Sequence, residues 1–114
     1  MKNRSLSKVA FCVFLFSSVI GNALTIKQAE EKANQVCAAC HGKDGVNGVL
    51  PSYPIIAGQY SDYLNQALMD YKSGARKNAV MGGIAATLTK EEMAGLARYF
   101  ASLPTPLNDK NRKD

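Results

Sequence analysis

The residues of this chain with the most distinctive chemistry are two cysteines and a histidine, in the run Cys-Ala-Ala-Cys-His at positions 37–41. Cys-x-x-Cys-His is the attachment signature of c-type haem. Two thiols one helical turn apart can each add to a haem vinyl group, and the adjacent His41 then offers an imidazole nitrogen to the iron. The motif predicts one haem with its iron, bound covalently through Cys37 and Cys40 and ligated by His41.

Three other uses of the cysteine pair compete with haem attachment. A redox-active dithiol of the thioredoxin type belongs to a βαβ setting, and no such alternation of strands and helices is readable in this sequence. A structural zinc site usually has four ligands, whereas one histidine and two cysteines make three once Cys12 leaves with the N-terminal leader described below. A disulfide across two intervening residues closes too small a loop to stabilise a fold much. Haem attachment is the favoured interpretation.

The iron of a histidine-ligated haem has a second axial position, and methionine is a common ligand there. Of the four methionines, Met1 belongs to the leader. Met69 falls on the polar side of a predicted helix, and Met93 belongs to the apolar stripe of the last helix, where core packing is the default interpretation. Met81 is predicted to lie in a flexible loop over residues 75–83, beside two glycines that permit close backbone approach. It is the favoured axial ligand; a loop methionine covering apolar surface is the alternative.

Two further residues are candidates for holding the haem. A metal-ligating histidine normally donates its second ring N–H to an acceptor that fixes the ring. Pro54 lies in the loop that has to pass the haem edge, and we expect its carbonyl to be that acceptor. Arg76 can pair with a haem propionate, because a guanidinium matches carboxylate geometry. A solvated loop arginine is an equally open interpretation of Arg76.

The elements that position these residues are predicted to be three main helices, joined by long loops rich in glycine and proline. They are residues 26–39, residues 61–73 and the stretch from Thr89 to Pro104. Capping boxes at Thr25 and Thr89 start the first and third helices, and Ser61 and Gly74 bound the second. Three short helices bury little by themselves, and loops this long are unusual in a packed bundle. We therefore expect an all-α fold wrapped around one covalently bound haem, which supplies the missing core.

The first 23 residues have the layout of a secretory signal peptide. Three basic residues among the first eight precede an apolar run, and small residues end at Ala23. The run is well short of the ~20 residues needed to span a bilayer. Cleavage after Ala23 predicts a periplasmic protein without stable membrane insertion; a retained membrane anchor is the alternative. The mature chain then comprises a domain at 24–104 and a polar tail at 105–114.

Removal of this leader lowers the positive charge of the chain. The full sequence has 14 basic and 9 acidic residues, a net charge of +5. Three of the basic residues belong to the leader, so 11 remain in the mature chain. A strongly basic nucleic-acid-binding protein is therefore not indicated, and we expect no nucleic acid among the partners.

Five sequence segments together resemble the small bacterial class I cytochromes c, in particular one half of the dihaem periplasmic cytochromes of that class. The segments are Cys-Ala-Ala-Cys-His-Gly at 37–42, Pro-Ile-Ile-Ala-Gly-Gln at 54–59, Tyr-Lys-Ser-Gly-Ala-Arg at 71–76, Met81, and Leu-Ala-Arg-Tyr-Phe-Ala at 96–101. The resemblance covers essentially the whole mature chain. The chain departs from the dihaem relatives in having one haem motif, which leaves open whether it acts alone or beside a partner subunit.

The resemblance implies a role for each candidate residue. Cys37 and Cys40 would be the thioether sites, His41 and Met81 the axial ligands, and Pro54 the partner of the histidine. It also implies an all-helical fold whose first and last helices cross beside the haem. The small residues available for that crossing are Gly95, Ala29 and Ala33.

Three hypotheses for function follow. A closed six-coordinate iron leaves no site for substrate and suits single-electron transfer between redox proteins, so an electron carrier rather than an enzyme is the leading one. A haem subunit fixed to a larger dehydrogenase or oxidase is the second. A gas-binding haem sensor is the third, and it requires Met81 to be absent from the iron or easily displaced.

Overall fold

The computed structural model describes residues 21–107 of the 114-residue chain, and every regular element in that range is a helix. The helices are α1 (Ile26–Val36), α2 (Ala38–His41), α3 (Ser61–Ser73), α4 (Ala79–Ala86) and α5 (Lys90–Ala101). The all-α class is as predicted, although there are five helices where three main ones were expected. The predicted signal peptide, up to residue 20, and the end of the predicted tail, from residue 108, lie outside the described residues.

The starts of α1 and α5 are the capping boxes that the sequence predicts. The Thr25 hydroxyl accepts a hydrogen bond from the backbone N–H of Gln28 at 3.2 Å, and the Gln28 side chain accepts one from the Thr25 N–H at 2.9 Å. Thr89 and Glu92 make the same reciprocal pair at 3.1 and 3.0 Å. Each pair satisfies two backbone donors that the helix itself leaves free.

The first predicted helix is interrupted at the haem motif. Residues 26–39 were expected to be continuous, but α1 ends at Val36 and α2 follows after Cys37, whose φ of −110° departs from regular helix geometry. Gly42 ends α2 with a φ of 79°, a conformation that glycine adopts without the cost of a Cβ. The break leaves the two cysteines on either side of a helix start, within one turn of His41.

The predicted loop at 75–83 was wrong, because residues 79–86 form α4 and Met81 lies inside it. The side chain of Asn78 caps this helix, accepting hydrogen bonds from the backbone N–H groups of Val80 and Met81 at 3.0 Å each. Such a cap stabilises a helix by about 1 kcal/mol, which offsets much of the cost of the two glycines. A Cβ on Gly83 would meet no protein atom within 4 Å, and one on Gly82 would meet only the Tyr71 carbonyl oxygen, at 3.7 Å.

The core lies where α5 packs on α1 and α3. Ala29 is fully buried, and a Cβ added to Gly95 would come within 3.6 Å of the Ala29 Cβ and 2.9 Å of the Leu24 Cβ. The small residues therefore do allow α1 and α5 to meet closely, as expected. Met93 is buried, as predicted, and Leu96 joins it.

Two details of α3 differ from the sequence expectation. The residue at the N-cap is Tyr60 rather than Ser61, and its side chain makes no capping hydrogen bond. Helical spacing puts Tyr60 and Tyr63 on the same face as Leu64 and Leu68, yet the two tyrosines are 44% and 51% exposed. Gly74 ends the helix in the left-handed conformation, as predicted. No helix within residues 21–107 is long and apolar enough to cross a membrane.

Candidate haem site

A largely apolar cavity of about 490 Å³ lies between the helices. Its size falls within the range of about 300–1,000 Å³ that is usual for small-molecule and cofactor sites. Each of the five helices contributes side chains to its wall. They include Val36 of α1, His41 of α2, Leu64 and Leu68 of α3, Met81 and Ile84 of α4, and Leu96 and Phe100 of α5.

The two cysteines of the haem motif both line this cavity, and they are not joined in a disulfide. Burial, and to a smaller extent the neighbouring Cys40, raise the pKa of the Cys37 thiol to about 11. Cysteines of redox-active dithiols have lowered pKa values instead, so the environment of Cys37 does not favour a thioredoxin-like role. Within residues 21–107, no group of three or more His, Cys, Asp and Glu side chains is placed to hold a metal ion.

His41 is held in one orientation by a backbone carbonyl. The imidazole is 8% exposed, and its Nδ1 atom lies 3.1 Å from the carbonyl oxygen of Pro54. When Nδ1 donates its proton to this carbonyl, Nε2 keeps the free lone pair and is the nitrogen available to a metal. The contact between His41 and Pro54 is the one expected from the sequence.

The segment that carries Pro54 is tied back to the rest of the fold at two points. The carbonyl of Gly45 accepts hydrogen bonds from the backbone N–H groups of Ile56 and Ala57 at 2.9 and 3.1 Å. The N–H of Gly58 donates to the Phe100 carbonyl of α5 at 2.8 Å. The acceptor of the His41 proton therefore lies directly before a stretch of chain that is hydrogen-bonded both to Gly45 and to α5.

The loop between α2 and this segment has its own internal brace at Asp44. Its carboxylate accepts hydrogen bonds from the backbone N–H groups of Val46 and Asn47, at 2.9 Å each. These bonds lower the pKa of the Asp44 carboxyl below its ordinary value. These hydrogen bonds fix the backbone immediately before Gly48. The haem motif itself does not predict them.

Among the methionines of the described residues, only Met81 lines the cavity. Met93 is 2% exposed and belongs to the core, whereas Met69 is 38% exposed. Both assignments agree with the sequence predictions. Sequence reasoning missed Asn78, which fixes the backbone at Met81; an Asn directly before an apolar run is a helix-start signal that could have revealed it.

Arg76 lies at the rim of the cavity among tyrosines. Its guanidinium donates to the Tyr63 hydroxyl at 3.4 Å and stands 4.9 Å from the centre of the Tyr71 ring. The hydrogen bond to Tyr63 raises the pKa of the Arg76 guanidinium above its ordinary value, so it is fully charged. The side chain is both solvent-exposed and part of the cavity wall.

The fold and the residues of the cavity define a class of protein. Residues 26–104 match the Cytochrome c family, and the chain belongs to it. Members of this family are electron carriers rather than enzymes, and they hold a covalent haem c with its iron. The Cys37 and Cys40 pair required for that attachment is present.

Similar proteins refine this assignment. The chain is 45% identical over 75 residues to a cytochrome c4 of Thiocapsa roseopersicina, covering 66% of this chain and 38% of that protein. It is 35% identical over 86 residues to the thiosulfate dehydrogenase electron acceptor of Stutzerimonas stutzeri strain A1501, covering 75% of this chain and 40% of that protein. The chain thus spans well under half the length of these relatives.

A solved structure shares the fold. The crystal structure of reduced recombinant cytochrome c4 from Pseudomonas stutzeri superposes with a TM-score of 0.62 at 27% sequence identity. The match covers 69% of this chain and 48% of that one. The present domain therefore corresponds to about half of the solved chain.

Proposed function

We propose that this chain is a periplasmic monohaem c-type cytochrome that carries single electrons through a His/Met-ligated iron. One observation carries the proposal: Cys37, Cys40, His41 and Met81 all line the same apolar cavity. The cavity has the size and the largely apolar lining that are usual for a cofactor site. Its residues also include two thiols, a nitrogen and a thioether sulfur, which are the donors of a c-type centre.

Each residue has a distinct part in this proposal. Cys37 and Cys40 form the thioethers, and His41 supplies Nε2 to the iron while Pro54 accepts the proton on Nδ1. Met81 supplies the second axial ligand from α4. Arg76, at the rim, pairs with a propionate. When bound, the haem supplies a reversible one-electron change at iron.

Filling both axial positions with protein side chains decides what the site can do. His41 is anchored by Pro54, and the backbone of Met81 is anchored by Asn78. Ligands held in this way need little rearrangement when the charge of the centre changes by one. With no open position for a substrate, outer-sphere electron transfer to another redox protein is the activity that remains.

The proposal that the protein is exported depends on its N-terminal residues. We infer that residues 1–23 are a signal peptide removed after Ala23, that the domain comprises 24–104, and that 105–114 form a polar tail. The three basic residues, the apolar run and the small residues before the cleavage point support this. The described helices offer no membrane span.

A second candidate function is that of a haem subunit or dedicated acceptor of a larger dehydrogenase. The relative from Stutzerimonas stutzeri, which is named a thiosulfate dehydrogenase electron acceptor, favours it. Both functions use the same closed centre and differ in how long the partner stays bound. Copurification with a larger enzyme would favour the subunit, and isolation as a free chain would favour the carrier.

The experiment that tests the ligand set is Met81→Ala, with Met69→Ala as the matched control. We expect the Met81 variant to keep its covalent haem but bind carbon monoxide when reduced, because an axial position is opened. Met69 is exposed and does not line the cavity, so its variant should not bind carbon monoxide. Retained methionine ligation in Met81→Ala would contradict the assignment.

A further inference from the structure

Helix α4, which carries Met81, has little stability of its own. It has eight residues, and a helix of about two turns does not persist in water without tertiary contacts. Gly82 and Gly83 lie in its middle, and glycine is a poor helix former. The side chain of Asn78 fixes the first turn. The position of Met81 therefore also depends on what holds the other end of α4.

The side of α4 that faces the cavity continues beyond the last residue of the helix. Met81, Ile84 and Leu88 all line the cavity, and their spacing of three and four residues brings side chains to one side of a helical chain. Leu88 is 1% exposed, and its N–H donates to the Ala85 carbonyl at 3.1 Å. Leu88 is thus attached to the last turn of α4, on the side from which Met81 reaches the cavity.

The peptide group that joins Leu88 to Thr89 is hydrogen-bonded on both sides. Its carbonyl oxygen accepts a hydrogen bond from the ammonium of Lys72, in the last turn of α3. Its N–H donates to the carboxylate of Glu92, in α5, at 3.0 Å. Hydrogen bonds in which one partner is charged are stronger than neutral ones. Because this peptide connects α4 to α5, the two bonds tie the end of α4 to both α3 and α5.

Lys72 acts at this junction and not in the cavity itself. The pKa of the Glu92 carboxyl is lowered by the Thr89 N–H, by Lys32 and, least, by the charge of Lys72, so the ammonium lies close to the carboxylate as well as to the peptide. Lys72 does not line the cavity. Any influence of Lys72 on the haem iron therefore passes through the junction and α4.

We propose that Lys72 is a positioning residue for Met81: by holding the Leu88–Thr89 peptide, it keeps α4 in place and the Met81 sulfur on the haem iron. The proposal rests on the His/Met ligation proposed above and adds a residue of α3 that sets the strength of that ligation. Displacement of Met81 by another ligand requires α4 to move, which breaks the hydrogen bond between Lys72 and the Leu88 carbonyl. A protein that lacks this bond from the outset should lose Met81 from the iron more easily.

The test is the affinity of the oxidised, haem-loaded protein for imidazole, which competes with the Met81 sulfur for the iron. Imidazole donates a nitrogen lone pair to the iron as the sulfur leaves, and the iron stays ferric throughout. Lys72→Ala is compared with Lys77→Ala, because Lys77 is exposed and does not line the cavity. Both substitutions remove one positive charge, so a general charge effect is the same in both.

We expect Lys72→Ala to bind imidazole about tenfold more tightly than the unmodified protein, because a hydrogen bond from a charged donor at a partly buried site is lost. Lys77→Ala should change the affinity less than about twofold, as is usual for an exposed charge. Lys72→Arg keeps the charge and a donor, so it should restore most of the difference.

Two further variants separate positioning from a general loss of stability. Glu92→Gln weakens the hydrogen bond on the other side of the same peptide, and it should strengthen imidazole binding by less than Lys72→Ala does. Thr25→Ala removes the cap of α1, remote from this junction in the sequence. It should lower the midpoint of guanidinium unfolding and leave the imidazole affinity unchanged.

An imidazole affinity of Lys72→Ala equal to that of Lys77→Ala, or an equal gain in Thr25→Ala, would overturn the positioning role. The ferric spectrum of the unmodified protein distinguishes this result from failure of the proposed function. It should contain the weak long-wavelength absorption band of methionine-bound ferric haem. Absence of that band would show that the Met81 ligation itself is wrong, and the positioning role would be overturned with it.

Discussion

Gly45→Ala should destabilise the protein by an amount that the structure allows us to work out. Gly45 has a φ of 67°, where a residue with a Cβ costs about 1–2 kcal/mol. The added Cβ would lie 3.0 Å from Cδ1 of Phe100 and 3.1 Å from the backbone nitrogen of Ala57. That nitrogen is hydrogen-bonded to the Gly45 carbonyl, so it cannot retreat freely. Crowding of this kind costs about 1–3 kcal/mol, and the total is about 2–5 kcal/mol.

Gly74→Ala is the matched control. Gly74 also has a positive φ, 83°, but a Cβ there would meet nothing within 4 Å. Only the backbone cost of about 1–2 kcal/mol should remain. Guanidinium unfolding of both holoprotein variants, followed by circular dichroism, gives the two free energies of unfolding. If Gly45→Ala were no more destabilising than Gly74→Ala, the tight packing of the Gly45 loop against Ala57 and Phe100 would be wrong.

Two further predictions concern the capped helix α5 and the haem attachment. The Thr89 N–H and the Lys32 ammonium, which lies 2.9 Å from the Glu92 carboxylate, lower the pKa of the Glu92 carboxyl in the folded protein. The charged carboxylate therefore stabilises the fold at pH values above the pKa of Glu92 in the unfolded chain. This stabilisation is lost as the pH falls through the pKa of Glu92 in the folded protein. Glu92→Gln should therefore lower the midpoint of urea unfolding near neutral pH. It should also reduce the difference between the urea midpoints at about pH 7 and about pH 3; an unchanged difference would rule out this contribution. Cys37→Ser combined with Cys40→Ser should leave all haem extractable by acidified solvent, and haem that survives extraction would refute the thioether assignment.

The haem motif and the capping boxes could be predicted from the sequence because they are local. The hydrogen bonds of Thr25 and Thr89 span three residues, and the thiols and His41 fall within five consecutive positions. The hydrogen bond between His41 and Pro54 spans 13 residues, and it was predictable because a metal-ligating histidine needs an acceptor. The chemistry of a metal-ligating histidine therefore limited the possible acceptors, although the two residues are far apart in the sequence.

The predictions that were wrong concern features that depend on contacts with other parts of the fold. Adjacent glycines after Met81 favour a loop by propensity, yet the Asn78 cap and packing against α3 make residues 79–86 a helix. The residue assigned as ligand stayed the same although its element changed. Helical spacing also could not predict that Tyr63 is exposed. Its hydroxyl accepts a hydrogen bond from Arg76 at the rim of the cavity, so the ring is not packed in the core.

The central claim is that the protein closes both axial positions of a covalently held haem. An optical spectrum of the reduced, haem-loaded mature protein, recorded before and after addition of carbon monoxide, tests it most directly. We expect retained haem and an unchanged spectrum, because His41 and Met81 would occupy the two positions. A shift on adding carbon monoxide would mean an accessible iron, would contradict the closed centre, and would favour a gas-binding protein over an electron carrier.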